Sequence, residues 1–245
     1  MKLLGNLLHI NDICVPFFVM RAYIEYETTS QVLTTMFNQP THSTQEVRTM
    51  NIQIKSSNGI TLMPLETRLL ASHKIFVEGE INTETACEFM KQVLYLNQED
   101  SKKPIDVLIN SIGGEINSGL LMYDVIQSSK APIRMFCMGK CYSMAALLFA
   151  SGTKGQRYML PHSELMLHEP LLGNRIGGNS SSIRSISDSL QETKAKMNEI
   201  LAKHTGKTEE EVEKATGFDH YFSPEESIAF GLCDEIIGFD KVMDA

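Results

Sequence analysis

From Lys74 to Glu169 the chain switches repeatedly between two apolar periods, and that switching is what most limits the folds open to it. "KIFVEGEI" (74–81), "IDVLINS" (105–111) and the apolar run from Ile133 to Gly139 are short and bounded by turn-forming residues. Runs of this kind read as strands buried in a sheet. Between them, "TETACEFMKQVLYLN" (83–97) and "INSGLLMYDVIQSS" (116–129) carry apolar residues at helical spacing. "MAALLFA" after Ser143 is a further helix, and "GQRYML" and "ELMLHEP" are two further strands. Strands alternating with helices predict an α/β fold with a mainly parallel sheet, which gathers ligands at the carboxyl ends of its strands.

The flanking segments read differently. Residues 1–49 show weak periodicity, and "NQPTHSTQ" (38–45) reads as a linker. We therefore expect an N-terminal extension over 1–49 and one domain over 50–245, with Met50 a candidate start of the organised chain. Past Pro170, "LLGNRIGGNSSS" reads as a loop, and a long amphipathic helix is predicted from about Ser182 to His204. Two short helices follow. One has a capping box at Thr208 and Glu211; the other has Ser223 as N-cap, Pro224 in the first turn and Gly231 as stop.

Composition removes several function classes. Lys and Arg number 22 against 30 Asp and Glu, a net charge of −8 without a basic stripe, so a nucleic-acid surface is not expected. The five cysteines are scattered without a CxxC pair, which suits free thiols in a reducing compartment and no zinc site. The histidines show no HExxH spacing, and no metal is expected. No apolar run approaches the ~20 residues of a membrane helix. At the N-terminus, Asn6, His9, Asn11 and Asp12 interrupt the apolar residues, so a signal peptide is not expected and a cytoplasmic location is.

Chemistry-bearing residues fall at strand ends. Ser143 stands where a strand passes into a helix; it is either a helix N-cap or a nucleophile beside free backbone N–H groups. His168 ends "LMLHEP" and is either a core histidine or a general base. Asp219 precedes a capped helix and is either a cap or a carboxylate that orients an imidazole. "SIGGE" places Gly113 and Gly114 at another strand end, as a plain turn or as a backbone approach to substrate. Ser, His and Asp are the types an acyl-transfer triad needs, because a hydroxyl is a weak nucleophile until a held imidazole takes its proton. Cys141 is a rival nucleophile that reads better as a packed thiol, and His220 and His162 read as loop residues.

Four segments together resemble one family: "INSIGGEINSGLLMYDVIQ", "MFCMGKCYSMAALLFASGTKGQRYMLPHSELMLHEPL", "KMNEILAKHTGKTEEEVEKAT" and "DHYFSPEESIAFGLCDEII". In order and spacing, from about Ile60 to Ile237, they are similar to the proteolytic subunits of the Clp protease. The resemblance implies a ClpP/crotonase-like ββα superhelix whose long handle helix stacks two heptameric rings. It implies Ser143 as nucleophile, His168 as general base, Asp219 as third triad member, and the amides of Gly114 and Met144 as the oxyanion hole. The implied activity is hydrolysis of unfolded polypeptide inside a homo-oligomeric barrel. Substrate would be fed by an AAA+ unfoldase that consumes the ATP, with no cofactor on this chain. Two alternatives stand beside it, a non-proteolytic subunit of a mixed ring and a crotonase-like acyl-CoA enzyme.

This chain departs from the family at named places. Ile112 stands where the family has proline, and Tyr142 where it has a small residue, so a looser turn and a reshaped entrance to Ser143 are expected. Asp106 and Leu108 stand where aromatic residues help form the unfoldase docking pocket.

Overall fold

The structure, a computed structural model, describes residues 7–10, 13–16, 50–56, 59–173 and 177–243. The linker read at 38–45 lies outside them. The chain divides into two compact units, 1–49 and 50–245. In the first, β1 (Leu7–Ile10) pairs antiparallel with β2 (Ile13–Pro16).

The second unit begins with a hairpin that the sequence reading did not anticipate. Strands β3 (Asn51–Ser56) and β4 (Gly59–Pro64) pair antiparallel, and Ile52 and Ile54 alternate with exposed polar neighbours. A short helix, α1 (Leu65–Ala71), leads into the βα succession that the periodicity predicts. This comprises β5 (Lys74–Ile81), α2 (Thr83–Glu99), β6 (Ile105–Gly114), α3 (Ile116–Ser128), β7 (Ile133–Tyr142) and α4 (Met144–Ala150). Then come β8 (Arg157–Met159) and β9 (Glu164–Leu167). The chain continues through α5 (Ser180–Thr205), α6 (Glu209–Thr216), β10 (His220–Phe222), α7 (Pro224–Phe230), β11 (Glu235–Ile236) and α8 (Phe239–Met243).

The caps sit where local chemistry puts them. Thr208 and Glu211 bond reciprocally at the start of α6, as do Ser223 and Glu226 at the start of α7. Asn82 does the same for α2 with Thr85 as its partner. Each pair satisfies backbone N–H groups that a helix start leaves without partners.

Strands β5, β6 and β7 run parallel, as the α/β reading expects. Strand β7 then forks. Its first half, Met135–Cys137, pairs with β8, and its last residues, Lys140–Tyr142, pair with β9. Strand β10 adds antiparallel to β9. The fork brings the carboxyl end of β7 beside the carboxyl end of β9, and that is where the cleft lies. All seven residues of α4 are buried, so this helix is the centre of the core and is apolar on every side. Burying its Phe149 alone contributes on the order of 1.5–3 kcal/mol.

One buried ion pair ties three elements together. Arg157, 2% exposed, donates to both oxygens of Asp234 and to the carbonyls of Ala150 and His204, at the ends of α4 and α5. Burial would raise the Asp234 carboxyl, but the hydrogen bonds and charge of Arg157 outweigh it and hold the group below its ordinary range. Asp106, also 2% exposed, takes hydrogen bonds from Lys74 and Arg134. Next to it, Leu108 packs into a small second cluster with Phe136, Ile237 and Val242.

Candidate active site

The turn from β7 into α4 forces Ser143 into a backbone conformation that few side chains adopt, φ 55° and ψ −122°. A non-glycine residue held there costs on the order of 1–3 kcal/mol, maintained by its surroundings. Here the surroundings are β9, because Ser143 N–H donates to the Met166 carbonyl at 2.8 Å. The two readings of Ser143 now separate. It occupies the N-cap position, yet its side chain makes no capping bond. Its Oγ lies 2.7 Å from His168 Nε2 instead. With the ring proton on Nδ1, Nε2 accepts from the hydroxyl, which is the contact a general base needs.

His168 is the first residue after β9, and the β7–β9 register, Tyr142 opposite Met166, fixes its distance from Ser143. Its Nδ1 is buried and has no hydrogen-bond partner. Asp219 stands just before β10, where His220 pairs with Leu167. Extending that antiparallel register by one step sets the Asp219 backbone opposite His168. The residue is nonetheless exposed and gives Nδ1 no bond. The structure therefore brings Ser143 and His168 together and leaves the Asp219 carboxyl apart.

The two glycines at the end of β6 are packed against the serine turn. A Cβ on Gly113 would fall 2.6 Å from the Tyr142 carbonyl oxygen and 2.8 Å from Ser143 Cβ; one on Gly114 would fall 2.0 Å from the Ile81 carbonyl oxygen. No other residue fits either place. Gly113 N–H is taken by Ser111 Oγ at 3.1 Å, and that hydroxyl donates to the Gly79 carbonyl at 2.7 Å. This clamp, which the sequence reading missed, braces the turn at Ile112 without a proline. Gly114 and Met144 both line the cleft beside Ser143 and His168. The Met144 N–H is the first of α4, one of the donors a helix start leaves free of intrahelical partners.

The cleft measures about 740 Å³. Its apolar wall comes from Leu147, Leu167, Met197 and Leu201, and Glu80 and Glu115 also line it. Tyr142 does not. Its hydroxyl donates to Glu164, which pushes the phenol up to about 12, and its ring meets Tyr221 edge-on. The expectation that this ring reshapes the entrance is thereby corrected: in a strand, neighbouring side chains point to opposite faces, so Tyr142 points away from the cleft. Cys141 is fully buried and burial drives its thiol well up, so it is no rival to Ser143. His220 is exposed and stacks on Phe222, and His162 is exposed in a turn. Among the described residues, no three His, Cys, Asp or Glu side chains converge as a metal site.

A half-buried imidazole against a strained serine at a strand end, beside two glycines, is an arrangement that can carry acyl transfer. A family profile described as Clp protease matches residues 57–240. The chain belongs to the Clp protease family. It is thus a peptidase of the type of that protease's proteolytic subunits, and its mixed α/β fold with a long C-terminal-half helix is the family's fold. Residues 1–49 fall outside the match. Among the described residues, no helix is long and apolar enough to cross a membrane.

Proposed function

We propose that the chain is a serine endopeptidase that cleaves unfolded polypeptides to short peptides through an acyl-enzyme. The observation that carries this reading is the 2.7 Å contact between Ser143 Oγ and His168 Nε2 at the strained turn. His168 Nε2 takes the hydroxyl proton as Oγ attacks the peptide carbonyl. The N–H groups of Gly114 and Met144 hold the oxyanion. His168 then gives the proton to the departing amine, and water, deprotonated by the same ring, releases the acyl group and restores Ser143. Asp219 completes the triad by turning its carboxylate to His168 Nδ1, the buried nitrogen that lacks a partner.

The family supports an assembly as well. In this reading α5 is the handle through which two heptameric rings stack, giving a closed homo-oligomeric chamber. An AAA+ unfoldase feeds it and uses the ATP, the chain itself needs no metal or cofactor, and the site of action is the cytoplasm. Asp106 and Leu108, one locked in ion pairs and the other buried, present no free aromatic surface to that partner.

One observation favours a second reading, a non-proteolytic subunit of a mixed ring: the Asp219 carboxyl stands away from His168. A crotonase-like acyl-CoA chemistry has no use for the Ser143–His168 bond. A fluorophosphonate probe tests the first reading. It should add one covalent adduct, located by mass spectrometry on Ser143 and absent in Ser143→Ala. A protein that is folded and ring-sized but unlabelled would favour the second.

A further inference from the structure

Among the described residues, the unpaired charged side chains that line the cleft are acidic. Glu80 and Glu115 line it, and both are exposed. Among the described residues no lysine or arginine lines it, and neither carboxyl is in an ion pair with a cation. The third acid there, Glu169, is in an ion pair with Lys194 at 3.0 Å.

Both acids are held close to the reacting atoms by the fold. Glu80 pairs in register with Gly113, the residue packed against Ser143. Glu115 directly follows Gly114, and its N–H donates to the Ile81 carbonyl at 2.8 Å. Its side chain is oriented too: Ser118 Oγ donates to Oε2 at 2.7 Å and Thr83 Oγ1 to the same oxygen at 3.3 Å. The cleft thus joins an apolar wall, Leu147, Leu167, Met197 and Leu201, to two carboxylates that have no counter-ion among the described residues.

We infer that this cleft selects peptides in which an apolar residue is flanked, within two positions of the scissile bond, by lysine or arginine, with Glu80 and Glu115 as the selecting residues. The inference rests on the peptidase reading and goes beyond it. A cation there gains from both carboxylates, while an acidic residue is repelled by both; the low-dielectric wall strengthens the difference. A peptide with lysine should be favoured over its glutamate twin by about tenfold in kcat/KM at low ionic strength. Salt should compress that ratio, because the Debye length falls from about 10 Å at 0.1 M to about 3 Å at 1 M.

The test uses internally quenched peptides of one sequence, carrying Lys, Gln or Glu at each of the two positions on either side of the bond. They are assayed with the full-length protein and with the double variant Glu80→Gln/Glu115→Gln, whose new side-chain amide next to Gly114 keeps an oxygen for Ser118 to bond. The wild-type Lys-to-Glu ratio should be about tenfold and should fall towards one in the double variant and at about 1 M salt. A ratio near one in wild type, or one unchanged in the double variant, overturns the inference while leaving Ser143-dependent cleavage intact. If wild type cleaves nothing, the peptidase reading fails separately. Anisotropy binding of the same peptides to Ser143→Ala then still decides whether the cleft prefers the cationic one.

Discussion

Asp219 stands one residue before His220, and His168 one residue after Leu167, the partner of His220 across the β9–β10 ladder; the two backbones face each other while the carboxyl and Nδ1 stay unbonded. Opposed residues in such a ladder lie about 4.5–5.5 Å apart, so a side-chain rotation suffices to bring the groups together. Asp219 is exposed, and rotamer changes of exposed side chains are fast.

Asp219→Asn should therefore keep the fold and lose activity. The amide cannot stabilise the imidazolium as a carboxylate does, and the loss in kcat should be about 10²–10⁴. Steady-state hydrolysis of a neutral peptide, at equal ring-sized protein concentration, checks this. An Asn variant within a factor of two of wild type would mean that His168 works without Asp219.

The glycine turn makes a second point. In Gly113→Ala the new Cβ falls against the Tyr142 carbonyl and Ser143 Cβ, at a φ of 89° that alanine rarely adopts. The serine turn and the neighbouring amides must shift. Activity should drop about 10²-fold, comparable to losing an oxyanion donor, while circular dichroism stays unchanged. Full activity in that variant would show that the turn tolerates what its geometry forbids.

Stability should hinge on Arg157. Its guanidinium holds Asp234 and the ends of α4 and α5, so Arg157→Ala leaves two carbonyls without donors and the Asp234 carboxylate without its cation, held only by two backbone N–H groups. Breaking one side of a buried pair costs about 3–5 kcal/mol. Urea unfolding should show a midpoint lowered accordingly with an unchanged slope. A change below about 1 kcal/mol would mean that water replaces the guanidinium.

A pH effect follows from His204. Burial, then the charges of Lys203 and Arg157, hold its imidazole down at about 4, and Tyr123 shares a hydrogen bond with its Nε2. An unfolded imidazole takes a proton near 6.5, so the unfolded state binds more protons between about pH 6.5 and 4. Stability owed to neutral His204 is present above pH 6.5 and is lost as pH falls through about 4. The ring is only half-buried, and the discounted loss is about 1–2 kcal/mol. Urea midpoints measured across that range should fall less steeply in His204→Gln than in wild type. Parallel curves would remove His204 from the acid response.

Much of the fold was legible in the residues because its elements are locally encoded. The strand and helix periods between Lys74 and Ala150, the capping box at Thr208, the N-cap at Ser223, and the long helix all follow from spacing and cap chemistry. Ser143 at a strand–helix junction was legible for the same reason. What escaped depends on register between distant strands. The fork of β7, which sets Ser143 against His168, pairs residues more than twenty positions apart. The Ser111 clamp was hidden because a hydroxyl in a strand shows no partner in sequence, though its place before two glycines was a usable signal. Tyr142 was misread because its face depends on the pleat at the last residue of β7. The Asp219 side chain was beyond reach because its position along the chain sets its backbone and leaves its rotamer open.

The most direct measurement is hydrolysis of a short fluorogenic peptide with an apolar residue before the scissile bond, by wild type, Ser143→Ala and a form starting at Met50, each resolved by size. Activity should travel with a ring-sized species of wild type, persist in the shorter form, and fall to a residual rate in Ser143→Ala. Equal activity in Ser143→Ala, or none in any ring-sized wild-type fraction, would contradict the serine peptidase reading.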